Sequence, residues 1–164
     1  VKSPKVQSKS PKAVAAADAH IEVIARGCLL DGSRVLLCEN VKHGYLYLPG
    51  GHVEFTESAS AALAREFLEE TGERIRVGPL ALVSEGSFAT RKRTHHEINL
   101  VFHVEPAGRF DPAKVTSREE EVAFRWAELA AVPELDVRPL AAKAWLATLG
   151  HGPREAVEWV SEID

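Results

Sequence analysis

Hydrophobic positions along this chain recur with two periods. From Ile21 to Leu30 an alternating pattern becomes a continuous apolar run, as expected of a partly buried strand. Asp31-Gly32-Ser33 has turn composition, and Arg34 to Glu39 reads as the returning strand of a hairpin. Beyond a polar loop, Tyr45-Leu46-Tyr47-Leu48 is a short strand leading into Pro49-Gly50-Gly51. Ile75 to Phe88, interrupted by Gly78-Pro79, predicts one or two strands, Ile98 to Val104 another, and Val122 to Trp126 a short one. The longer period governs three stretches. Ala59, Leu63 and Phe67, widened by Ala64 and Leu68, make an apolar stripe on a helix that Thr56 or Ser58 can cap and Gly72 can end. Leu140 to Leu149 predicts a second helix. A helical start after Trp126 stops at Pro133, and Glu155 to Ile163 closes the chain as an amphipathic piece around Val157, Val160 and Trp159.

Strands before and after one central helix, with helices near the C-terminus, predict an α/β protein. Its 164 residues suit one domain over 20–164, preceded by a flexible extension (1–19) rich in Lys, Ser, Pro and Ala. The net charge of -4 argues against a general nucleic-acid-binding surface, the more so because Lys2, Lys5, Lys9 and Lys12 mask a more acidic remainder. No apolar run reaches membrane-spanning length, and no signal peptide is evident, so a cytoplasmic location is expected. Cys28 and Cys38 lie in apolar strands and read as reduced core cysteines.

The anomaly is the other face of the first helix. Glu66, Glu69 and Glu70 stand at i, i+3 and i+4, so three carboxylates share one side near the end of the helix that disfavours anions. Arg65 faces Glu69, but one guanidinium cannot neutralise three glutamates. A solvated acidic face is one reading. The other is that a hard divalent cation, Mg²⁺ or Mn²⁺, completes the arrangement and brings substrate phosphates with it.

Gly51, Glu57, Arg65, Glu66, Phe67, Glu69, Glu70 and Gly72 fit the spacing Gx5Ex7REUxEExG, with U a bulky apolar residue. Seven fixed identities at roughly 7% each coincide by chance with odds on the order of 10⁻⁸. This stretch resembles the Nudix box of the Nudix hydrolases. The pattern's closing apolar position is Glu73 here, a departure at a packing position, with Ile75 two places on. The resemblance implies an α/β/α sandwich with a mixed sheet. It also implies metal-dependent hydrolysis of a nucleoside diphosphate linked to another group X, of nucleotide-sugar or ADP-ribose type. In that reading Glu66, Glu69 and Glu70 are metal ligands, Gly50 or Gly51 offers a carbonyl, and Glu57 steadies the loop or adds a ligand through water. Arg65 positions a carboxylate. Glu66, or a glutamate of the later loop (Glu119 or Glu120), orients or deprotonates the attacking water.

Other residues carry two readings each. Arg26 is either an exposed strand charge or a phosphate grip. Tyr47 either packs or stacks on a base. Arg91, Lys92 and Arg93 form either a solvated hairpin tip or a phosphate-steering patch. His95 and His96 are adjacent on a strand, face opposite ways, and do not ligate one metal together. Competing functions are a nucleoside triphosphate pyrophosphohydrolase, a nucleotide-sensing module without turnover, and an isopentenyl diphosphate isomerase. The expected partner is a small nucleotide pyrophosphate, and a homodimer is admitted as well.

Overall fold

The computed structural model describes residues 20–89, 94–118, 120–149 and 156–163. The extension (1–19), the basic residues Arg91, Lys92 and Arg93, and Glu119 lie outside the described residues. β1 (Ile21–Asp31) turns at Gly32 and Ser33 into β2 (Arg34–Asn40), with Gly32 in the left-handed region at φ 61° that glycine adopts without strain. β3 is reduced to Leu46–Tyr47, and β4 (Gly50–His52) returns antiparallel to β1. Then follow α1 (Ala59–Thr71), β5 (Ile75–Ala89), β6 (Thr94–Pro106), β7 (Val122–Glu128), α2 (Leu140–Leu149) and β8 (Glu158–Ser161).

The sheet runs β3-β2-β1-β6-β5-β8, with β4 on β1 and β7 on β2. It is mixed: β1–β6 and β5–β8 are parallel, and the remaining pairs are antiparallel. Alternation along the strands builds two cores. Ala25, Leu29, Leu36 and Val104 pack with Ala62, Leu63 and Phe67 of α1. Their neighbours Cys28, Leu37 and Val101 pack with Ala142, Trp145 and Leu146 of α2. The two helices therefore cover opposite faces, and the α/β/α architecture follows from period-2 alternation in strands buried on both sides. Cys28 and Cys38 are buried and free.

Several local expectations change. Gly78-Pro79 does not divide β5; the strand absorbs the pair as irregular register between Val77 and Leu82. The segment after β7 is a 3-10 helix, Leu129–Glu134, that holds Pro133 within it. The closing amphipathic piece is a strand. Glu158 and Val160 are half-buried while Trp159 and Ser161 are exposed, a period of two set by parallel pairing with β5. On α1 the buried set is Ala62, Leu63, Phe67 and Glu70, whereas Leu68 is exposed. The helix is thus rolled so that an acidic residue, not a leucine, enters the structure. Ile75 packs with the α1 core, two places after the helix exit occupied by Glu73.

Candidate active site

The helix that carries the glutamates is fixed at both ends. Ser58 caps it, its hydroxyl accepting a hydrogen bond from Ala61 N (3.2 Å), and Gly72 ends it at φ 78° with its N–H on Leu68 O. Burial of Leu63 and Phe67, each contributing about 1.5–3 kcal/mol, holds one side against the sheet. The adjacent side presents the carboxylates to the loop leaving β4.

Gly51 and Glu66 meet there. A β-carbon on Gly51 would lie 2.5–2.6 Å from both Glu66 carboxylate oxygens, so the glutamate occupies the space a side chain would fill. Gly50 is held differently. Its φ is 129°, and a side chain would run into the carbonyl oxygen of Ala25.

Arg65 ties the cluster together. Its Nη2 donates to Glu57 Oε1 (2.9 Å) and to His52 O (3.2 Å), and its Nε to Glu57 Oε2 (3.3 Å). Its Nη1 donates to Glu66 Oε1 (2.8 Å) and Glu69 Oε2 (3.2 Å). The planar fork suits this role, since a lysine cannot meet a carboxylate with two parallel bonds. The Arg65 hydrogen bonds, with one from Glu54 N, hold the Glu57 carboxyl below the usual range, and Glu57 in turn raises the Arg65 pKa. Glu57 therefore clamps the loop through Arg65.

The three glutamates differ in setting. Glu69 is largely exposed, Glu66 is mostly covered, and Glu70 is buried. This is not a solvated acidic face. Carboxylate oxygens are the donor type that hard cations such as Mg²⁺ or Mn²⁺ take, but among the described residues no group of three such side chains could hold a metal ion as they stand. The structure joins Glu66 and Glu69 through Arg65, and it buries Glu70, which the helical spacing alone does not announce.

Arg26 lies across the sheet from this helix. Its Nη1 donates to Leu48 O (3.2 Å) and Gly50 O (3.0 Å), its Nε to Asn99 Oδ1 (3.4 Å), and it stands 5.2 Å over the Tyr47 ring. Arg26 therefore pins the Leu48–Gly50 turn, and Gly50 O already accepts a charged donor. Burial raises the pKa of half-covered Tyr47. Asn99, buried as the partner of Arg26, had no sequence signal beyond a polar residue inside an apolar strand.

The loop before β7 reaches the end of α1. Arg118 N donates to Glu70 O (2.9 Å), and the Arg118 guanidinium covers Gly72, where a β-carbon would lie 2.5 Å from Nη2. A cation there complements the negative end of the helix. Glu120, two residues on, is an exposed turn residue. Arg118 was hidden in sequence by the acidic run that follows it.

A family model described as NUDIX domain matches residues 21–149. A "MutT-like protein" of Streptomyces ambofaciens is 30% identical over 123 residues, which cover 71% of this chain and 76% of that protein. Among solved structures, a mutator MutT protein from Bacillus halodurans superposes with a TM-score of 0.65 at 21% identity, covering 85% of this chain and 89% of that one. An ADP-ribose pyrophosphatase from Streptococcus suis gives 0.56 at 17% identity, covering 84% and 98%. At these identities the solved structures share the fold. Among the described residues no helix is long and apolar enough to cross a membrane.

Proposed function

The chain belongs to the NUDIX family of hydrolases, and from that premise we propose that it hydrolyses a nucleoside diphosphate linked to another group, of the nucleotide-sugar or ADP-ribose type. The observation that supports this reading is the Arg65-centred cluster, in which Arg65 joins Glu66 and Glu69 and Glu66 lies against Gly51 of β4, with Glu70 buried on the same helix. Glu66, Glu69 and Glu70 would hold Mg²⁺ or Mn²⁺, with a carbonyl of Gly50 or Gly51. A bound ion of this kind screens the pyrophosphate charge and lowers the pKa of a water.

The chain's own residues do the rest. Arg65 orients Glu66 and Glu69. Glu57 keeps Arg65 in place. Glu66, Glu119 or Glu120 takes the proton of the attacking water. Arg26 fixes the turn that bears Gly50, and Tyr47 offers a ring edge for the base. Arg91 and Arg93 steer phosphates toward the site.

The test is a panel of nucleotide pyrophosphates assayed with Mg²⁺ and with Mn²⁺, with product identification. Nucleoside monophosphate plus a sugar phosphate supports the proposal. Nucleoside monophosphate plus pyrophosphate, from triphosphates alone, replaces it with the triphosphate pyrophosphohydrolase. Binding without turnover at saturating metal leaves a sensing module.

A further inference from the structure

A polar residue stands in β6 where the sheet would take an apolar one. Asn99 lies mid-strand between Ile98 and Leu100 and is 3% exposed. A buried amide costs free energy unless it is hydrogen-bonded. Its neighbours across the sheet do not bond it: Ile24 of β1 is apolar, and the Ser84 hydroxyl of β5 is buried without a partner among the described residues. Its bonds go to charged side chains instead. Asn99 Oδ1 accepts from Arg26 Nε (3.4 Å), and Asn99 Nδ2 donates to Glu97 Oε2 (3.4 Å). Arginine only donates and a carboxylate only accepts, so an amide, with one end of each kind, is suited to stand between them.

The same guanidinium reaches the turn before β4. Arg26 Nη1 donates to Gly50 O (3.0 Å) and Leu48 O (3.2 Å). The Tyr47 ring, 5.2 Å from the guanidinium carbon, sets how far the group stands off but not its rotation, because a ring face attracts a cation without fixing its N–H directions. Asn99 supplies the rotation: held at Nε, the planar fork aims Nη1 at both carbonyls. Around them, Pro49 O accepts from Gly27 N (2.8 Å), Val53 N donates to Val23 O (2.9 Å), and Gly51 lies against the Glu66 carboxylate. A chain of contacts therefore runs from Glu97 through Asn99 and Arg26 to the turn beside Glu66.

We propose that Asn99 is a positioning residue: acting through Arg26 and held by Glu97, it fixes the Leu48–Gly50 turn and with it the Gly51 that Glu66 lies against. Its effect on turnover rests on the hydrolysis proposed above; its effect on the turn does not. The test is Asn99→Leu, read in two ways. Exchange of the Gly27 and Val53 amides, which hold the two sides of the turn, should quicken about tenfold or more relative to the amides of α2. On a nucleotide pyrophosphate that the native chain turns over, kcat should fall about tenfold or more with KM kept within about threefold. The swap Glu97→Gln/Asn99→Asp preserves the total charge, an acceptor for Arg26 and a donor beside it, and should return both readouts to within about threefold of native. Asn99→Ala repeats the test should the leucine variant fail to fold. Unchanged exchange at Gly27 and Val53 overturns the proposal whatever the activity. So does a rise in KM at native kcat, which would make Arg26 a substrate grip, or a swap variant no better than Asn99→Leu. A native chain that turns over nothing in the panel refutes the hydrolase reading instead, and the exchange rates still decide the role of Asn99.

Discussion

The sharpest perturbation of the acidic cluster is one methyl group on Gly51. Gly51 does not sit in the left-handed region, so alanine is allowed by the backbone there. The obstacle is the Glu66 carboxylate, 2.5–2.6 Å from where the new carbon falls, while ordinary contact begins at 3.4 Å. The carboxylate ends a flexible side chain, so it moves and the fold stays. A displacement of about 1 Å at the reacting centre costs about a hundredfold in rate. Gly51→Ala should therefore lower kcat by about a hundredfold and change Tm by less than about 4 °C, the shift that about 1 kcal/mol produces in a domain of this size. Gly50→Ala is the control. Its methyl meets the Ala25 carbonyl with φ at 129°, so it damages folding first. The assay is phosphatase-coupled phosphate release with Mg²⁺ on the best substrate of the panel, alongside thermal melting. A double-mutant cycle with Glu66→Gln locates the effect: if it acts through Glu66, adding Gly51→Ala to Glu66→Gln costs little more. A Gly51→Ala enzyme that melts normally and keeps its turnover within threefold would refute the reasoning.

Three further outcomes are expected. Glu69→Gln and Glu70→Gln should each lower turnover by a hundredfold or more, the order of magnitude for losing a charge-stabilising group; native rates in either variant contradict the metal assignment. Mg²⁺ at ten times its Kd should raise Tm by roughly 3–6 °C, from about 1.4 kcal/mol of linkage, and the double glutamine variant should lose that gain. Burial lowers the pKa of His103, which packs 5.6 Å from Trp145. Its neutral form is the folded one, so its contribution is complete above the ordinary histidine value of about 6.5 and is lost as pH falls through the depressed one. Urea melts of His103→Gln should show a smaller stability loss between pH 7 and 5 than the native chain, and parallel curves count against this.

The acidic cluster was legible in sequence because its members lie within one helix and one loop, where spacing alone decides what shares a face. The same holds for Ser58 and Gly72 at the helix ends. The burial of Glu70 in place of Leu68 was not legible, because the two lie about 200° apart around α1 and the roll of the helix against the sheet decides which side is buried. Four residues of β8 cannot separate a period of two from one of 3.6; its pairing with β5 does. Arg26 looked like a lone strand charge because its acceptors, Leu48 O and Gly50 O, arrive from a turn more than twenty residues away.

The sharing of a single Arg65 nitrogen between Glu66 and Glu69 has a consequence for turnover. Both side chains are oriented by the fold, so a cation bound here would meet ready-placed oxygens and cost little further ordering. The same guanidinium would go on drawing charge from those oxygens, so the cation's hold on them would be tempered. For a hydrolase of the proposed kind, which would have to release a phosphorylated product, such divided allegiance would give a grip quick to form and slack enough to let go.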